Sequence, residues 1–129
     1  DLFKNINDTY GHIVGDQVLR TLAGLIAGEV RPYDFTSRWG GDEFLVLVSS
    51  ADRATLDSLG ERLCAKASSC ADVMGDDGQY IAFSVSIGGQ LSQSGSSLND
   101  ILSQADQALY DAKREERGTY RAARPDDRQ

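Results

Sequence analysis

Arg38-Trp39-Gly40-Gly41-Asp42-Glu43-Phe44-Leu45-Val46-Leu47-Val48 is the stretch on which the reading of this chain turns. Two adjacent glycines sit where a chain reverses tightly, because glycine alone reaches positive φ without steric cost. The pattern predicts a hairpin with Gly40 and Gly41 at its turn. Phe44 to Val48 is a continuous apolar run, as expected of a strand buried on both faces. Asp42 and Glu43 are thereby fixed at the mouth of a rigid strand. Paired carboxylates there, beside glycines that admit a ligand to the backbone, suit a hard cation and a phosphate. A bare Gly-Gly-Asp-Glu is more often a solvated acidic turn, so the rest of the chain has to decide.

Upstream of the hairpin, Val18, Leu19, Leu22, Leu25, Ile26 and Val30 recur at helical spacing. They predict an amphipathic helix from Asp16 to about Glu29, ended by Pro32. Ahead of it, the stretch from Asn5 to Asp16 is dense in Asn, Asp and Gly and predicts a loop. Amide and carboxylate side chains grouped in this way can read a purine edge. The plainer readings are a turn former for Asn7, a helix cap for Asp16 and a buried, hydrogen-bonded turn residue for His12. Between helix and hairpin, Arg31-Pro32-Tyr33-Asp34 is either a surface ion pair of little worth or a guanidinium and carboxylate that grip a phosphorylated purine.

Downstream, Ser50 and Asp52 are candidate caps for a second helix through Leu56, Leu59, Leu63 and Ala67. A loop from Ser68 to Tyr80 carries a turn at Gly75-Asp76-Asp77-Gly78 and a short strand at Val73-Met74. Ile81 to Ile87 alternates large apolar with small residues and predicts a strand that Gly88-Gly89 ends. Ser97-Leu98-Asn99-Asp100 resembles a capping box and opens the clearest helix of the chain, with a stripe at Leu98, Ile101, Leu102, Ala105, Ala108, Leu109 and Ala112. Lys113, Arg114 and Arg117 fall at its end, where cations favour the helix dipole. Lys113 and Arg117, read as one turn apart, also suit a polyphosphate. Thr119-Tyr120-Arg121 is a candidate last strand, and residues 124–129 a disordered tail.

The chain of 129 residues is about one domain, taken as 1–123. Thirteen Lys and Arg against 20 Asp and Glu give a net charge of -7, which argues against a general nucleic-acid or anionic-membrane surface. Phosphate binding then falls to a few local cations. No apolar run approaches a membrane span, so the expectation is a soluble, cytoplasmic domain without membrane contact, whatever anchors a longer parent chain. Cys64 and Cys70 lack Cys-x-x-Cys spacing and have only His12 as a histidine partner, so reduced packing thiols are expected rather than zinc ligands.

Phe3-Lys4, Asn7-Asp8-Thr9-Tyr10-Gly11-His12, Gly15-Asp16, Gly40-Gly41-Asp42-Glu43-Phe44, Ser86-Ile87-Gly88 and Ala105-Asp106-x-Ala108-Leu109-Tyr110-x-Ala112-Lys113 together resemble the GGDEF family of diguanylate cyclases, over nearly the whole chain. The resemblance implies an α/β (α+β) fold like that of nucleotidyl cyclases and polymerase palms, a central and mostly antiparallel sheet flanked by helices. It implies a reaction in which two GTP molecules, one on each of two facing domains of a homodimer, condense to cyclic di-GMP and two pyrophosphates with Mg2+ as cofactor. Asn7 and Asp16 match guanine-binding positions, with His12 in the same loop. Phe3 and Lys4 match a segment whose backbone approaches the phosphates, and Gly40 and Gly41 the glycines of the signature. Asp42 matches a metal ligand, and Glu43 an acid that binds metal or activates the ribose hydroxyl. Lys113 and Arg117 match cations for the terminal phosphates.

The resemblance also implies a product-inhibition site for cyclic di-GMP at Arg31-x-x-Asp34, five residues ahead of the signature, with Arg38 assisting and Arg62 as a further cation. Two departures stand out. The family has a strand ahead of Asp1 ending in acid-x-acid, of which Asp1 matches only the second acid, so the chain as given is expected to turn over poorly. Glu115-Glu116-Arg117-Gly118 replaces the more usual Gly-Arg-Asn. The alternative is a non-catalytic module that binds cyclic di-GMP or GTP and regulates an attached domain. Either reading places sensory or regulatory domains in the parent chain.

Overall fold

Apolar residues spaced by three and four begin at the first turn of the chain, and they form two helices where a loop and one helix were expected. The computed structural model describes residues 2–31, 34–40, 43–48, 52–92 and 95–123. Helix α1 spans Leu2–Tyr10 and α2 spans His12–Glu29. Ile6 on α1 and Val14, Val18, Leu19 and Ile26 on α2 are buried, and the two helices pack together. Burial of one such side chain contributes about 1.5–3 kcal/mol. A poor helix former costs at most about 0.7 kcal/mol, so packing outweighs the turn preference of Asn and Asp here. The turn survives only at Gly11, whose φ of 92° and ψ of 168° form a combination that glycine alone takes without strain. Helix α2 therefore begins four residues before Asp16, which is exposed within the helix and caps nothing; its N-cap is Gly11. It ends at Glu29, ahead of Pro32, which lies outside the described residues.

The chain divides into two compact units, Asp1–Ser49 with Lys66–Phe83, and Ser50–Ala65 with Ser84–Gln129. In the first unit, β1 (Phe35–Gly40) and β2 (Glu43–Leu47) form the expected antiparallel hairpin, from Phe35 opposite Leu47 to Gly40 opposite Glu43. The register shifts between Arg38 and Gly40. Burial on both faces of β2 does not hold. Phe44, Leu45 and Val46 are half-buried, while Leu47 and its partner Phe35 are exposed, because β2 has one ladder partner among the described residues. Residues 66–83 add buried Ala67, Val73, Ile81 and Phe83, and Lys66 pairs with Glu29 at 2.7 Å. The strand expected at Val73-Met74 is reduced to one antiparallel bridge, Met74 to Tyr80, closed by a turn in which Gly78 N–H donates to Gly75 O at 3.1 Å.

In the second unit, β3 (Ile87–Gly89), α4 (Leu98–Glu115) and β4 (Tyr120–Ala122) form a β-α-β arrangement with the two strands parallel, Ile87 opposite Tyr120. A parallel pair needs such a crossover, and α4 supplies it. Ser97 accepts from the Asp100 N–H at 3.1 Å and so caps α4 as the sequence implies. Asp52 likewise accepts from the Thr55 N–H at 2.7 Å ahead of α3 (Arg53–Ser68); the Thr55 side-chain hydroxyl first, and then that N–H, hold its carboxyl below the usual range. The strand expected over Ile81–Ile87 is displaced. Residues 81–86 carry no ladder, and the glycines expected to end the strand are its body. At Gly88 a Cβ would lie 2.3 Å from Ala105 O and from Leu109 N, so α4 sits directly on the strand's backbone and glycine is needed within the strand. Tyr120 occupies the space beside Gly60 and Gly89, and its hydroxyl donates to Asp57 Oδ1 at 2.7 Å. Among the described residues, two two-stranded sheets and four helices make this an α+β protein. No described helix is long and apolar enough to cross a membrane.

Candidate functional site

The first unit carries most of the residues that the sequence singles out, on three local frames. The first is the α1–α2 bend. Asn7 lies one turn before Gly11 and its carbonyl accepts the Gly11 N–H at 2.9 Å. Its side-chain Oδ1 is buried and makes no hydrogen bond. A buried acceptor without a donor carries its full desolvation cost, on the order of 1–3 kcal/mol, so a polar ligand that supplied a donor would be bound the more tightly. His12 opens α2 and is exposed, contrary to the buried turn residue expected, because it falls just past the bend rather than inside a loop. His12 and Asp16 are four residues apart on one helix and so share a face. Phe3 and Lys4 fall in the first turn of α1, and their side chains lie outside the described residues.

The second frame is the hairpin. Gly40 faces Glu43 across the ladder, which sets Glu43 at the head of β2 with its side chain exposed. Gly41 and Asp42, the two residues between, lie outside the described residues. Arg38, opposite Phe44 on β1, is also exposed. Among the described residues no three His, Cys, Asp or Glu side chains gather as a metal cage. Glu43 is nevertheless the kind of oxygen donor that a hard divalent cation takes.

The third frame is the Arg31–Asp34 turn. Asp34 N–H donates to Arg31 O at 2.9 Å, and Asp34 Oδ2 accepts from Arg31 N–H at 2.8 Å and from Arg31 Nε at 3.4 Å. The ion pair is therefore internal to the turn. The Asp34 side chain is 1% exposed and that of Arg31 40%.

Lys113 and Arg117 belong to the second unit. Lys113 is half-buried in the last turn of α4. The expectation that Arg117 follows one turn later on the same helix fails. Glu116, at φ −161° and ψ 109°, leaves the helix, and Arg117 sits in the turn that Gly118 completes at φ 84°. Ser86 Oγ fixes that turn by accepting the Gly118 N–H at 2.9 Å, a role that no spacing or motif signals. Arg114 stacks over Tyr110 at 5.9 Å, and Arg62 on α3 donates to Ser58 Oγ at 2.6 Å.

The family described as "Diguanylate cyclase, GGDEF domain" matches residues 1–119. This chain belongs to the GGDEF family. The probable diguanylate cyclase DgcT of Escherichia coli is 38% identical over 117 residues, covering 88% of this chain and 25% of that protein. Diguanylate cyclase DgcZ of the same organism is 36% identical over 113 residues, covering 88% of the chain and 38% of DgcZ. This GGDEF chain thus spans between a quarter and two-fifths of those two relatives. Among solved structures, the isolated GGDEF domain of PA1120 (TpbB or YfiN) from Pseudomonas aeruginosa superposes with a TM-score of 0.87 at 37% identity, covering 98% of this chain and 74% of that one. The coiled coil and GGDEF domain of DgcB from Caulobacter crescentus, in complex with c-di-GMP, gives 0.88 at 32% identity, covering 94% and 64%.

Proposed function

We propose that this GGDEF chain is the catalytic domain of a diguanylate cyclase that joins two GTP molecules into cyclic di-GMP in a homodimer. The observation that carries the reading is the buried, unpartnered Oδ1 of Asn7. Guanine offers a ring N–H and an exocyclic amine, and either donor would satisfy that acceptor. Asp16 and His12, exposed on the α2 turns that follow the bend, supply further polar groups to the same nucleotide. Family membership supplies the reaction class.

In the reaction the ribose hydroxyl of one GTP forms a bond to the α-phosphorus of the other, the bond to pyrophosphate breaks, and the hydroxyl proton leaves. Repetition in the opposite sense closes the ring and releases the second pyrophosphate. Glu43 stands at the head of a hydrogen-bonded strand, so its carboxylate is held in place to bind Mg2+ or to take the proton. Asp42 is assigned as the companion metal ligand. Bound Mg2+ supplies charge compensation for the triphosphate and acidifies the attacking hydroxyl. Phe3, Lys4, Gly40 and Gly41 bring backbone to the phosphates, and Lys113 and Arg117 neutralise their terminal charge. Arg31, Asp34 and Arg38 form a second site where the product, cyclic di-GMP, restrains turnover. Because each domain holds one GTP, two facing copies are needed for one product.

The test is product chromatography after the intact protein is incubated with GTP and Mg2+. Cyclic di-GMP and pyrophosphate should form, Glu43→Gln should lower kcat about 100-fold or more, and Asn7→Ala should raise the KM for GTP about tenfold. GTP left unconsumed by a folded, dimeric protein would refute the catalytic reading; an unchanged KM and unchanged preference of GTP over ATP in Asn7→Ala would refute the guanine assignment.

A further inference from the structure

The turn that follows α4 is held from a different part of the second unit. Helix α4 closes with the Glu116 N–H donating to Ala112 O at 3.0 Å, and Thr119 Oγ1 donates back to Glu116 O at 2.6 Å. Gly118 takes a φ of 84°, where a side chain would be strained, and a Cβ there would lie 3.2 Å from Ser84 Cβ. Against this turn stands the segment from Ser84 to Ile87. Cys64 Sγ donates to Val85 O at 3.5 Å, Ser86 Oγ accepts the Gly118 N–H at 2.9 Å, and the Ile87 N–H donates to Thr119 O at 2.9 Å. The main-chain bond of Ile87 forms whatever residue stands at 86, whereas the bond to Gly118 needs a hydroxyl there. Arg117 lies between Glu116 and Gly118, so both of its chain neighbours are anchored by these bonds. An arginine whose backbone is already placed loses less conformational freedom when it meets an anion. A loosened turn would therefore weaken a phosphate contact and leave recognition of the base as it was.

We propose that Ser86 is a positioning residue for triphosphate binding: its hydroxyl fixes the turn from which Arg117 reaches the terminal phosphates, and it does not itself contact the nucleotide. This role rests on the reading of Arg117 given above. It accounts for how Arg117 is held where Glu116-Arg117-Gly118 stands in place of Gly-Arg-Asn. Thr at position 86 keeps the hydroxyl; Ala removes it.

The test is equilibrium binding to the intact protein with Mg2+, using α,β-methylene GTP as the triphosphate probe and GMP as a probe without terminal phosphates, the first read by calorimetry and the second by displacement of the first. Ser86→Ala should weaken the triphosphate by about three- to tenfold and GMP by less than about twofold, and Ser86→Thr should restore the wild-type ratio of the two affinities. Arg117→Ala should weaken the triphosphate by about tenfold or more, and in that background Ser86→Ala should change the ratio no further, because the two residues act through one contact. Equal weakening of both probes by Ser86→Ala, no weakening at all, or a selective loss that persists without Arg117 would each overturn the positioning role while leaving the Arg117 assignment in place. A ratio unchanged in Arg117→Ala would remove Arg117 from the phosphates, and the proposal with it, without touching the guanine or metal assignments. Should Ser86→Ala fail to fold, Gly118→Ala displaces the same turn with Ser86 intact; it should give the same triphosphate-selective loss, and an unchanged ratio would overturn the proposal.

Discussion

Replacing Gly88 by Ala adds one methyl group at the place where β3 meets α4. The new Cβ would lie 2.3 Å from Ala105 O, 2.3 Å from Leu109 N and 2.8 Å from Leu109 Cα. All three are backbone atoms of an 18-residue helix, so no side chain can swing aside. Ordinary contact begins at 3.4 Å, so strand and helix must separate by about 1 Å along their closest line. Overpacking of this kind costs about 1–3 kcal/mol, and a clash against rigid backbone belongs at the upper end. The usual gain from replacing glycine, about 0.4–1 kcal/mol through the unfolded chain, offsets part of it. The expected net loss is about 2 kcal/mol, read as a lower urea midpoint at unchanged m-value. Gly24 on α2 is the control: it is exposed with nothing within 4 Å of its would-be Cβ, so Gly24→Ala should stabilise by about 0.5–1 kcal/mol. A Gly88→Ala midpoint equal to wild type, or both variants shifting in the same direction, would refute the close approach of helix and strand.

Tyr120→Phe removes only the hydroxyl that donates to Asp57 Oδ1 at 2.7 Å, and should cost about 1 kcal/mol in the same unfolding assay. Burial first, and then the Asp57 bond, raise the phenol above its ordinary value of 10.0; the contribution is thus fully present below pH 10 and fades as pH rises towards the folded value, and a variant as stable as wild type at pH 7 would dismiss the bond. Cys64 is buried and its thiol is pushed up to about 11, by burial and then by the Glu61 carboxylate, while Cys70 is half-buried. At pH 8 only about one in a thousand Cys64 side chains is thiolate, so Ellman's reagent should titrate one thiol quickly and the second only slowly or on unfolding, with the slow rate rising about tenfold per pH unit. Two equally fast thiols would contradict the burial.

Local chemistry made much of the fold legible in the sequence. The hairpin followed from adjacent glycines and an apolar run, although Gly40, expected in the turn, is the last residue of β1 and pairs with Glu43. The caps at Asp52 and Ser97 followed from side chains that reach only three residues ahead. Helix α4 followed from its stripe, and the family from motifs in order along 119 residues. Each of these depends on neighbours within a turn or two, which a sequence displays directly.

Only the tertiary structure decided what each element rests against. Asn, Asp and Gly between residues 5 and 16 favour a loop by propensity, but buried Ile6 and Val14 hold the stretch as two helices and leave Gly11 as the bend. Gly88 looked like a strand end and proved to be the place where α4 lies on the backbone. Lys113 and Arg117 share helical spacing on paper, yet Glu116 leaves the helix, and Ser86, more than thirty residues away in sequence, holds the turn that follows. Arg31 and Asp34 look alike in the sequence, whereas the Arg31 side chain is 40% exposed and that of Asp34 1%. Propensity and spacing are properties of a segment. Burial, close approach and the direction of a hydrogen bond are set by segments distant in sequence or by how a turn closes, and the sequence of one segment does not contain them.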